Sequence, residues 1–175
     1  MSFLDRLLGR DAGESAGSGA IRRIAAELAA LPPQDARVLA GFAYLLGRVA
    51  NADDVISDVE SARMEELVRE VGGVPVEQAT LVVEIAKAQN RLFGHVENFQ
   101  VTRELRELAT PERLRSFVDC VFAVAAAEDG ISAEEEAQVR QICSELGFSH
   151  AEFVDMRAAW SEHRTVIRNL ERRGG

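Results

Sequence analysis

Slid along itself by 75 residues, the chain matches itself without a gap, Val49 to Ala79 falling on Val124 to Val154. Identical pairs include Val49 with Val124, Ala50 with Ala125, Ala52 with Ala127, Asp54 with Asp129, Ile56 with Ile131, Ser57 with Ser132, Glu60 with Glu135, Gly72 with Gly147 and Glu77 with Glu152. Apolar character is kept as well, Leu67 standing with Ile142 and Val71 with Leu146. The repeated unit reads helix, acidic turn, helix, glycine stop, helix. One such unit has an apolar face it cannot bury alone. Two copies therefore imply a pseudo-symmetric bundle in which each covers the face of the other.

The periodicity around the repeats is helical almost throughout, with apolar residues three and four apart and no stretch of strict alternation that would make a strand. Ile21, Ile24, Leu28 and Leu31 mark a first helix, stopped by Pro32-Pro33. A second is expected from Pro33 to about Ala52, and a third from Asp58 to Val71, ending at Gly72-Gly73. Pro75 suits the first turn of a fourth, expected to reach about Phe93. After a break at 94–98, Val101, Leu105 and Leu108 mark a fifth helix. Thr110-Pro111-Glu112 then combines a hydroxyl cap, a proline whose missing N–H costs nothing there, and a negative charge at the positive end of the dipole. A sixth helix follows, then a seventh from Ala133 to Leu146 and an eighth from about His150 to Arg172. The expected fold class is all-α: a single-domain bundle of about seven to eight helices built from two pseudo-symmetric helix-turn-helix repeats. The domain spans residues 20–175, with repeats at about 38–82 and 113–157. Residues 1–19 form a leading segment in which Phe3, Leu4, Leu7 and Leu8 share one helical face ahead of a Gly/Ser/Ala linker.

A net charge of −9 repels phosphate backbones, and the arginines near the C-terminus have no interleaved aromatics, so nucleic acid is not an expected partner. No run approaches the roughly 20 apolar residues of a spanning helix, and the start of the chain lacks the pattern of a signal peptide. A cytoplasmic protein, at most peripheral to a membrane, is expected. Cys120 and Cys143 fall on apolar helix faces at a spacing unlike a zinc motif, and read as reduced core residues.

The repeated turn carries the chemistry. In register with a calcium-binding EF-hand loop, Asp53 or Glu128 falls at position five, Ile56 or Ile131 at eight, Ser57 or Ser132 at nine, and Glu60 or Glu135 at twelve. The first half of the loop fails, because positions one and three hold Val49 and Asn51, or Val124 and Ala126. Capping explains much of the rest. Ser57-x-x-Glu60 and Ser132-x-x-Glu135 are capping boxes, and Ser149-x-x-Glu152 repeats the arrangement where no acidic pair precedes it. Capping leaves the acidic pairs Asp53-Asp54 and Glu128-Asp129 unexplained, beyond helix ends where negative charge is disfavoured. Two readings stay open: turns that are solvated or paired with Arg48 or Arg63, and a weak divalent-metal site drawing on Asp53, Asp54, Glu60, Glu128, Asp129 and Glu135. Oxygen-only ligation would favour Ca, Mg or Mn over zinc.

The turn resembles that of the TerB-like family of tellurite-resistance and stress-response proteins, all-helical domains in which A-D-G-x-I-S-x-x-E recurs. Asp53, Ile56, Ser57 and Glu60 match that form in the first copy, and Ala127, Glu128, Ile131, Ser132 and Glu135 in the second; Asp54 and Asp129 stand where the family usually has glycine. The likeness covers about residues 20–160. It implies an accessory role in metal-oxyanion or envelope stress, through complexes with membrane-associated and calcium-binding protein partners.

Catalytic motifs are lacking: His95, His150 and His163 are far apart, and there is no glycine-rich phosphate loop, nucleophile elbow or His-x-x-x-His pair. The expected function is a non-enzymatic interaction module of a stress-response or membrane-associated complex. The alternatives are a metal-binding or metal-sensing protein in its own right, and a purely structural helical homodimer.

Overall fold

The computed structural model describes residues 19–50, 56–88, 98–127 and 130–173. The leading segment 1–8 and its linker lie outside these residues. Among the described residues there are eight helices and no strand: α1 (Gly19–Ala29), α2 (Pro33–Ala50), α3 (Asp58–Glu70), α4 (Val76–Lys87), α5 (Asn98–Leu108), α6 (Pro111–Ala126), α7 (Ala133–Glu145) and α8 (His150–Arg173). The chain is an all-α bundle.

Local chemistry sets most of the boundaries. Thr110 is extended and its hydroxyl accepts from the Arg113 N–H at 3.2 Å, starting α6 with Pro111 in its first turn. α7 ends in a left-handed glycine, Gly147 at φ 88°, with the Phe148 N–H donating back to the Cys143 carbonyl at 2.9 Å. After α3 the left-handed residue is Gly73, one place later than Gly147 in repeat register. The fourth helix differs from expectation at both ends. Pro75 has ψ 150° and is the N-cap, not a member of the first turn, and at Ala88 the backbone leaves the helical region (φ −92°, ψ 6°), well short of Phe93. Helix α2 stops at Ala50, and the expected extension to Ala52 falls outside the described residues.

Helices α2 and α6 form the centre. Twelve residues of α2 are buried, all round its circumference, as befits a helix enclosed by others. It packs against α1, α4, α5, α6 and α7, while α6 packs against α2, α3, α5, α7 and α8. The first helix of each repeat thus meets the second helix of the other, α2 with α7 and α6 with α3. Helices α3 and α7 keep the 75-residue offset at both ends. Core positions recur at that offset too: Leu39 and Leu114, Phe42 and Phe117, Leu46 and Val121, Met64 and Val139, Leu67 and Ile142 are all buried. Cys120 and Cys143 are free and buried, as the apolar pattern required, and burial pushes each thiol up to about 12. Close approach shapes one contact further: at Gly41 an added Cβ would lie 2.7 Å from Leu105 Cδ2, so only glycine lets α5 settle this near α2.

Candidate functional site

Both repeated turns lead into helices through the expected caps. The Ser57 hydroxyl accepts from the Glu60 N–H at 3.2 Å and the Glu60 carboxylate accepts from the Ser57 N–H at 2.5 Å. In the second copy the corresponding distances are 3.1 and 2.7 Å, for Ser132 and Glu135. Ser149 and Glu152 close a third box at 3.2 and 2.6 Å before α8. The three boxes are alike whether or not an acidic pair precedes them, so the serine and glutamate of the turn serve first to start a helix. Ile56 and Ile131, the apolar residues between acid and serine, are partly buried against the core and tie each turn to it.

Of the six candidate ligands, Glu60 and Glu135 are thereby placed at the third position of α3 and α7. Asp53, Asp54, Glu128 and Asp129 lie outside the described residues, as does His95. Among the described residues no group of three or more His, Cys, Asp or Glu side chains is gathered as a metal would require. Immediately after Asp129, Gly130 has φ 128°, in the region that favours glycine. Gly130 stands one residue after the position at which the family pattern has glycine. Its repeat mate is Val55, which also lies outside the described residues.

Both arginines expected beside the acidic pairs have other partners. Arg63 donates to Glu66 at 2.6 Å along α3. Arg48, in the last turn of α2, crosses to α7: its Nη1 is 2.9 Å from Glu145 Oε2, and its Nη2 is 3.3 Å from both Glu145 Oε1 and Gln138 Oε1. The Arg48 side chain is only 4% exposed and that of Glu145 15%. This is a desolvated, two-pronged pair. The last turn of α6 carries no basic residue, so the second turn has no counterpart of Arg48 at its helix end.

Two polar features were not foreseen in the sequence. One is that burial of Arg48, which sits between Leu46 and Val49 in α2 and whose partner is 97 residues away. Its position within an apolar stripe is the signal that could have found it. The other is Asp119, inside the apolar run of α6. Its carboxylate accepts a hydrogen bond from the Trp160 side chain of α8, and burial raises its pKa above the ordinary 3.8 against the lowering effects of that bond and of Arg115. His150 stands at the start of α8 with its ring 6.1 Å from that of Phe153, as a solvent-side residue on the helix.

Among the described residues no helix is long and apolar enough to cross a membrane. Comparison with curated proteins and with solved structures gives no match. The family model described as tellurite resistance protein TerB matches residues 39–158, a span that takes in the Phe42–Phe117 contact, both repeated turns and their caps. With more than half of its length matched, including both repeats, the chain belongs to the TerB family.

Proposed function

We propose that this protein is a non-enzymatic interaction module of a stress-response complex, which binds other proteins through the surface around its repeated acidic turns and takes a divalent cation weakly there. The observation that carries the reading is what the turns have left over. Capping accounts for Ser57, Glu60, Ser132 and Glu135, and core packing accounts for Ile56 and Ile131. Arg48 and Arg63 are engaged with Glu145 and Glu66. The acidic pairs Asp53-Asp54 and Glu128-Asp129 are called for neither by capping nor by core packing, and in sequence they follow helix ends whose dipoles oppose negative charge. A hard cation such as Ca, Mg or Mn, or a basic partner surface, is the compensating charge that such carboxylates suit. The absence of catalytic motifs in the sequence and the family membership support a binding role over a reaction.

A comparison of partner capture tests it. Wild-type protein and an Asp53→Ala/Asp54→Ala/Glu128→Ala/Asp129→Ala variant serve as bait, each with and without EDTA. Capture weakened by loss of the acidic pairs but retained by the wild type in EDTA is expected of the module. Capture abolished by EDTA alone makes the protein a metal sensor. Capture indifferent to the acidic pairs contradicts their place in the contact.

A further inference from the structure

The repeat creates a pairing problem that apolar packing solves poorly. Because Leu39, Phe42 and Leu46 of α2 have the buried mates Leu114, Phe117 and Val121 of α6, and Leu67 of α3 has Ile142 of α7, the faces offered by the two repeats are much alike. Apolar contact is non-directional and discriminates weakly between similar faces. With core complementarity alone, α2 would accept α3 nearly as well as α7, from its own chain or from a second copy.

A directional contact distinguishes them. Arg48 holds Glu145 and Gln138 of α7 in a buried cluster. The repeat mates of these three residues are Ala123, Glu70 and Arg63, so the reciprocal contact of α6 with α3 has no clamp. An α2 that met α3 instead would find Glu70 in the place of Glu145, but Arg63 in the place of Gln138. Two guanidiniums would then be forced together away from water, which penalises that pairing. The cluster is also poorly arranged for stability: Arg48 Nε is buried with no hydrogen-bond partner among the described residues. Buried ion pairs of this kind seldom stabilise more than an apolar replacement would, whereas fixing which surfaces pair is their best-attested use.

We propose that Arg48, Glu145 and Gln138 are a pairing-specificity device, which docks the second repeat's α7 on α2 and, with Arg63 as its repulsive counterpart, prevents α2 from pairing with α3 of the same or another copy. Two variants of the full chain test it, each refolded from urea over a range of protein concentrations and followed by size-exclusion chromatography with light scattering. Arg48→Met/Glu145→Leu keeps a wild-type or higher thermal midpoint but refolds to a mixture, with a larger species that grows with concentration and that wild type does not form under the same conditions. Arg63→Gln, at a side chain that is 53% exposed, leaves the clamp intact and makes α3 resemble α7; it yields the same extra species. A double variant less stable than wild type makes the pair a stabiliser and overturns the proposal. An Arg63→Gln protein that refolds to the wild-type profile alone overturns it as well.

Discussion

Phe42 and Phe117 stack on one another with ring centroids 4.2 Å apart and planes 12° from parallel, and they occupy the same position of the two repeats. A residue that meets its own repeat mate is what a pseudo-symmetric pairing of the two repeats would produce, by analogy with an isologous contact between subunits. Two residues 75 apart in the chain, matched by the sequence repeat, thus meet face to face in the core.

Truncating either ring removes a fully enclosed side chain, and Phe42→Ala and Phe117→Ala are each expected to cost about 3–5 kcal/mol. Because each ring is the other's wall, the double variant loses less than the sum, with a coupling of about 0.5–1.5 kcal/mol. Urea denaturation of the four proteins measures it. Strict additivity would show that the stack carries no energy of its own.

Gly41→Ala drives a methyl group against Leu105, whose Cδ2 and Cγ lie 2.7 and 2.8 Å from the new atom. Leu105 is buried and has little room to yield. Alanine gains about 1 kcal/mol of helix propensity over glycine, but with two carbons inside contact distance overpacking is expected to prevail and destabilise the protein by about 1–2 kcal/mol net. Leu105→Ala made in the Gly41→Ala background should cost less than Leu105→Ala alone, and a thermal-melt cycle decides.

The caps make a prediction about equivalence. Ser57→Ala and Ser132→Ala each remove a bond to the first turn, and are expected to lower stability by about 1 kcal/mol apiece. The two losses should agree closely, since the boxes have nearly the same geometry. A much larger loss at one of them would mean that its serine does more than cap.

Asp119 sets a pH dependence whose sign is fixed by its burial. Its folded-state pKa is raised above 3.8, so the native state binds the proton more tightly than the unfolded one. The stabilisation is full below 3.8 and is lost as pH rises through the raised value. Asp119→Asn retains an acceptor for Trp160 and is expected to flatten this part of the profile and raise stability at pH 7. Chemical denaturation across pH 3–7 checks both; a stability loss at pH 7 would show that the charge itself is needed.

Much of the fold was legible because its signals are local. The serines before α3 and α7, Thr110-Pro111 before α6 and the glycine after α7 act within a turn of themselves, and the helices begin and end where they stand. Pro75 shows the limit of such signals: the residue type suits both an N-cap and a first-turn position, and only its ψ decides. Arg48 and Asp119 were not legible in their roles. Their partners Glu145 and Trp160 lie on other helices far along the chain, and each arrangement exists only once those helices have packed. In the candidate site, Glu60 and Glu135 could be read as cap residues from their spacing, whereas charge at 53–54 and 128–129 marks a demand for compensation without naming what meets it.

The most direct test of that compensation is isothermal titration calorimetry of the metal-free protein with Ca, Mg and Mn, run beside the Asp53→Ala/Asp54→Ala/Glu128→Ala/Asp129→Ala variant. The expected result is weak, saturable binding of at least one of these cations by the wild type and none by the variant. No heat with any cation, or undiminished binding by the variant, would contradict the proposed cation site.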